Sequence, residues 1–322
     1  MKRSALLGGM VWAGLVVRSA LGPRLHWGAQ QLGTIELLFL LGPLVVVPLG
    51  LELFVRLDDH ADASGLVRAA RWMQFSAALL VTASFFFERG FTAAALVLPW
   101  FFVGGLLAFH GLKILFSPAP KSLRAACVIA SFLYLPIGCA WLIASRFGLN
   151  PMSFQEPIVL LTAVHFHFAG FAVPLMTCAA AQALAGPSVA VSRVLDAVTV
   201  GVLVGPGMLA AGFVVGPHLK LLAALLLVTS EAGLGFLFLV ACRRLQPRWT
   251  RVLVGLSAAS VLGAMGLAGV WAIGEFPLQP FVHLAEMAKF HGTANALGFT
   301  ICGLLGWIFS QPGNTRRNRG EI

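Results

Sequence analysis

Charge is scarce in this chain: Asp, Glu, Lys and Arg make up 11% of its 322 residues, against about 25% in a soluble globular domain. That shortage excludes a body covered by water on all sides. Acid is scarcer than base, with 12 Asp and Glu against 22 Lys and Arg, a net charge of +10. Such a balance would suit nucleic acid if it were gathered into a stripe or tail. Instead the basic residues sit in short loops between apolar runs, so no nucleic-acid partner is expected. The five cysteines (Cys127, Cys139, Cys178, Cys242 and Cys302) form no CxxC, which argues against a disulfide framework and a zinc ribbon alike. They read as small buried hydrophobes. Tyrosine is nearly absent; Tyr134 is the only one. No HExxH, HxxxH or HxxHH places metal ligands on a single helix face.

What is present is apolar: 59% of the residues are hydrophobic and the mean hydropathy is +0.90. The runs are long and do not alternate, which indicates helices rather than a barrel. The fold class is therefore all-α, a polytopic membrane helical bundle. Ten spans are predicted, at roughly 5–22, 35–55, 69–87, 91–115, 123–145, 156–184, 192–215, 219–242, 250–273 and 281–310, each near the ~20 residues that cross a bilayer. Basic Met1–Arg3 followed by apolar Ala5–Val17 resembles a signal-peptide core. No small-residue cleavage site follows, so an uncleaved first span is expected.

Orientation follows from counting Lys and Arg. With the amino terminus inside, the inner segments hold Lys2, Arg3, Arg56, Arg68, Arg71, Lys113, Lys121, Arg124, Arg193, Arg243, Arg244, Arg248, Arg251, Arg316, Arg317 and Arg319. The outer ones hold only Arg18, Arg24, Arg89, Arg146 and Lys220, and Lys289 falls within a span. Both termini are thus expected in the cytoplasm of a bacterial inner (plasma) membrane protein, with the lipid bilayer as its first partner. Residues 1–310 read as one transmembrane helical domain and 311–322 as a short basic cytoplasmic tail.

Ionisable groups inside hydrocarbon are costly and mark function. The last span carries Glu286, Lys289, His291 and Asn295, with His283 at its start. The sixth carries His165 and His167, and the eighth Glu231. All three spans run outside to inside, and at 1.5 Å per residue His165, His167, Glu231 and His291 lie ~13–18 Å below the outer edge. One layer near the bilayer centre is expected to hold them, and Tyr134 is at a depth to join it. At 100° per residue His291 and Asn295 share a face, while Lys289 points about 160° away. His165 and His167 stand about 200° apart on a regular helix, unless a kink near Pro174 breaks it. The plainer reading of each group is helix–helix hydrogen bonding: a lone histidine between helices, Glu231 paired with Lys289 or a histidine, His291 with Asn295 as a clamp.

Two blocks, TAVHFHFAGFAVPL (162–175) and KFHGTANALGF (289–299), resemble the YndJ-like family of bacterial integral membrane proteins. The resemblance carries onto His165, His167, Gly170 and Phe171, and onto His291, Gly292, Asn295, Ala296 and Gly298. The family is sometimes labelled a transporter, and the resemblance implies a membrane fold and the position of a site.

Three functions fit these residues. The first is a small-solute or proton-linked transporter, with His165 or His167, Glu231 and His291 as relay or ligand groups. The second is a membrane-embedded enzyme acting on a lipid or isoprenoid substrate, with a metal ion or haem held by His165, His167 and His291. The third is a structural protein whose polar groups serve packing alone.

Overall fold

A computed structural model describes residues 2–25, 32–58, 64–118, 122–186, 189–276 and 282–312. His26, His60 and most of the basic tail lie outside the described residues. Ten helices account for nearly all of what is described: α1 (Lys2–Leu25), α2 (Thr34–Leu57), α3 (Gly65–Ser84), α4 (Phe91–Leu115), α5 (Leu123–Phe147), α6 (Ile158–Ala183), α7 (Val189–Val215), α8 (Pro217–Cys242), α9 (Arg248–Glu275) and α10 (Leu284–Phe309). Nine of them are long and apolar enough to cross a bilayer. The tenth, α3, has the length, 20 residues, but carries Arg68, Arg71 and Gln74. The expected all-α bundle is the observed fold.

Consecutive helices run antiparallel, and side chains tie the ends on each side. At one end Arg124, opening α5, donates to the carbonyl of Leu57, the last residue of α2. At the same end Leu245–Gln246 pairs antiparallel with Gln311–Pro312 just after α10. At the other end Arg146 of α5 donates to the carbonyls of Ser84 (3.4 Å), the last residue of α3, and Phe87 (3.1 Å) just beyond it, and Arg89 faces Glu156 at 3.9 Å. Lys220, opening α8, pairs with Glu275, closing α9, at 3.0 Å.

The helices differ in how far they are enclosed. In α2, 89% of the most apolar stretch is buried inside the protein; in α1 the figure is 11%. So α2 is the central post and α1 an outer stave. Hydrocarbon gives apolar side chains little reason to prefer each other over lipid, so close approach at small residues has to hold the helices together. A Cβ on Gly201 of α7 would fall 1.9 Å from Ser230 Oγ on α8, and one on Gly298 of α10 would fall 2.2 Å from Ser260 Oγ on α9.

Three helices leave the α register. A π-helical turn covers Gly42–Val46 in α2, another Phe166–Ala172 in α6, and two more cover Ala288–Gly292 and Ala294–Ile301 in α10. Proline explains the first two. In α2 the Val47 N–H bonds the Gly42 carbonyl, and Pro48 has no N–H to offer Pro43. The freed Pro43 carbonyl accepts instead from the side-chain amide of fully buried Gln74 on α3, at 2.9 Å. In α6 the Val173 N–H bonds the Phe168 carbonyl, and Pro174 offers none to Ala169.

Candidate functional site

A cavity of about 560 Å³ lies among α5, α6, α7, α8, α9 and α10, with Leu38 of α2 touching its wall. Its lining reaches the surface where α5 meets α6, α7 meets α8 and α9 meets α10, at exposed Met152, Pro217 and Phe276 beside Phe154, Lys220 and Glu275, which makes that end its mouth. Most of the lining is apolar. Tyr134, His165, Glu231, His291 and Asn295 also reach it. π-helical turns are rare and recur at functional sites; here they bracket the histidines, since His165 directly precedes one and His291 and Asn295 lie in two others.

His291 is oriented from both sides. Its Nδ1–H donates to the Ala264 carbonyl on α9 at 3.0 Å, because a carbonyl can only accept. Its Nε2 therefore accepts, and the Asn295 amide nitrogen donates to it at 3.1 Å. That leaves Asn295 Oδ1 buried with no partner. His165 Nδ1–H donates to the Leu161 carbonyl one turn back at 2.8 Å, which directs Nε2 as an acceptor. Its side chain is exposed, yet it sits mid-helix on the cavity wall, so its exposure is to the cavity. Glu231 is only 6% exposed. No ion pair or side-chain hydrogen bond engages it among the described residues. Burying such a carboxyl without a partner costs several kcal/mol, so it calls for a proton or a cationic group from a ligand. Tyr134 is committed elsewhere: its hydroxyl donates to the Leu203 carbonyl at 2.7 Å and ties α5 to α7.

His167 takes no part in the cavity. It is fully buried on the other side of α6, where Nδ1–H donates to the Ala163 carbonyl (2.8 Å) and Nε2 accepts from the Trp100 indole N–H (3.0 Å). Phe39 packs edge-on at 5.2 Å. Both ring nitrogens are spent, and the ring joins α2, α4 and α6 as a packing element. Even through the π turn, the two histidines face apart. The triad His165, His167 and His291 is therefore not brought together, and among the described residues no three His, Cys, Asp or Glu side chains come close enough to hold a metal ion.

Glu286 and Lys289 also lie off the cavity. Glu286 caps the start of α10 by accepting from the His283 backbone N–H at 3.2 Å. Lys289 is exposed and extends over the Phe290 ring, 5.5 Å from its centre, so it does not neutralise Glu231. Sequence reasoning missed the Lys220–Glu275 pair at the mouth and the Trp100 partner of His167. A tryptophan at mid-span carries an N–H that must find an acceptor when buried, and that was the available signal for Trp100.

The family profile of the YndJ-like proteins matches residues 37–299. That covers most of the chain and both histidine blocks. The chain belongs to the YndJ-like family. Its sequence is 26% identical over 314 residues to the uncharacterized membrane protein YndJ of Bacillus subtilis (strain 168), covering 95% of this chain and 53% of that protein. The chain thus spans about half the length of this curated relative. No solved structure matches it. The two YndJ-like blocks divide into cavity and packing residues. His165, His291, Gly292, Asn295 and Ala296 line the cavity, and the family-matching glycines also seat neighbouring helices. A Cβ at Gly170 would meet Tyr134 Cβ at 2.8 Å, and one at Gly292 would meet Leu38 at 2.8 Å.

Proposed function

We propose that this YndJ-like chain is a membrane carrier in which the cavity among α5–α10 binds a small, largely apolar solute, with Glu231, His165 and His291 serving as its polar and proton-exchanging groups. The observation that carries this reading is that side chains from three separate helices reach one apolar cavity at mid-membrane. A mostly apolar pocket with a few polar groups is the usual form of a small-molecule site, and intramembrane ionisable groups mark substrate or proton paths. The cavity mouth lies at the end poorer in Lys and Arg. With both termini in the cytoplasm of a bacterial inner membrane, as the basic loops favour, the mouth opens outward. The test is counterflow in proteoliposomes of labelled amphipathic solutes, with a trapped pH dye reporting proton movement. Wild-type exchange lost in Glu231→Gln and His291→Ala is the expected result. No exchange and no proton movement for any solute would remove the carrier reading.

A further inference from the structure

The free polar atoms at mid-depth in this cavity are nearly all hydrogen-bond acceptors. Glu231 contributes a carboxyl with no partner among the described residues. Asn295 Oδ1 also has no partner but is closed off from the cavity space, and the amide nitrogen gives one N–H to His291 while keeping a second. His165 contributes Nε2, since Nδ1–H is held by Leu161. The Ala169 carbonyl on the same wall has lost the N–H of Val173 to Phe168, and Pro174 has none to give. The donors that could have served these atoms are engaged: Tyr134 O–H goes to Leu203, His291 Nδ1–H to Ala264, and Thr162 O–H to Ile158. Thr300 alone keeps a hydroxyl able to play either role at this depth. The indoles of Trp141 and Trp271 lie nearer the mouth. Among the described residues the one Lys or Arg on the lining is Lys220, which sits at the mouth and is bound to Glu275.

From this donor deficit we infer that the cavity's ligand is an amphipathic primary or secondary amine, bound as its ammonium ion with an apolar body. An ammonium offers up to three N–H donors and one positive charge; the Glu231 carboxylate answers the charge, and His165 Nε2 is a further acceptor on the cavity wall. A buried ion pair is favourable only when further hydrogen bonds satisfy the remaining N–H groups; His165 Nε2 and the Ala169 carbonyl are the acceptors left on the wall for them. The apolar body fills the space lined by Phe154, Phe166, Phe213, Leu227, Met265 and Trp271. An anion would face the Glu231 carboxylate with no Lys or Arg at this depth among the described lining residues. This inference rests on the cavity being the ligand site, but not on the chain moving its ligand across the membrane.

The test uses the full chain in nanodiscs and three probes of one shape: 2-(1-naphthyl)ethylamine, its trimethylammonium analogue and 2-(1-naphthyl)ethanol. Binding is read from quenching of the cavity tryptophans. The amine is expected to saturate one site, with the alcohol and the trimethylammonium compound each weaker by about tenfold or more. Glu231→Gln should weaken the amine by about tenfold or more and leave the alcohol unchanged. Should Glu231→Gln fail to fold, His165→Phe decides, weakening the amine alone. Equal binding of amine and alcohol, equal binding of amine and trimethylammonium compound, or no saturable amine binding would each overturn the inference. In counterflow, an amine that binds but never exchanges would defeat the carrier reading and leave this inference standing. A neutral solute that exchanges while the amine is ignored would do the reverse.

Discussion

Two histidines two residues apart show how strongly function here depends on which way a side chain points. His165 presents a free nitrogen to the cavity, while His167 is locked between Trp100 and the Ala163 carbonyl. Trp100→Phe removes the donor and leaves His167 Nε2 buried without one, a loss of about 1–3 kcal/mol. The purified variant should melt several degrees lower in detergent while cavity binding of a ligand keeps its affinity; a loss of affinity at unchanged melting temperature would put His167 in the site after all. Gly138 bears on the same ring. A Cβ there would stand 2.8 Å from His167 Nδ1 and 2.9 Å from Phe166 Cβ, below any ordinary contact. Gly138→Ala should therefore destabilise by about 1–3 kcal/mol, the usual cost of overpacking, and the drop in melting temperature should shrink when combined with His167→Ala, which opens space at one of the two contacts.

At the scale of the helix, the sequence was informative about extent and poor about rotation. Every predicted span lies within a few residues of an observed helix, because hydropathy and the length of a bilayer crossing are properties of composition. Of the four groups expected in one layer, His165, Glu231 and His291 line one cavity and His167 does not. Facing was not legible. A constant 100° per residue cannot follow α6 and α10 through their π turns, and it cannot say which neighbour a face meets. Lys289, which the spacing offers as a partner to Glu231, lies over Phe290 instead. The π turn of α6 carries one residue more than an α-helical path would, so deleting Ala169 should restore the α register and turn His165 by about 100° against the Pro174 half. Circular dichroism should stay close to wild type while ligand binding to the cavity is lost. Binding that survives the deletion would show that the offset does not aim His165.

On the scale of the whole molecule, the enclosed half and the hollow half divide the labour. Around α2 the protein is solid, with Phe39, Phe54, Trp100, Phe132 and Phe171 fully buried. The cavity lies toward the other flank, where α7, α8 and α9 are 39%, 44% and 33% buried over their most apolar stretches. Such a division sets a closely packed wall against one whose helices face outward over most of their apolar surface. It also makes sidedness testable. Ala268 lines the cavity on α9, one turn deeper than Trp271 and Ala272. With the five native cysteines replaced, a lone Ala268→Cys should react with a membrane-impermeant maleimide added to intact cells stripped of their outer wall, and not with the same reagent added to inside-out vesicles at rest. Labelling should block the cavity, lowering ligand affinity by about tenfold or more, as filling a snug apolar site does. A cysteine at Ala241, fully buried near the opposite end of α8, serves as the control and should stay unlabelled from either side. Reaction of Ala268→Cys only from inside-out vesicles would reverse the orientation argued from the basic loops, while the cavity and its acceptors would stand unchanged.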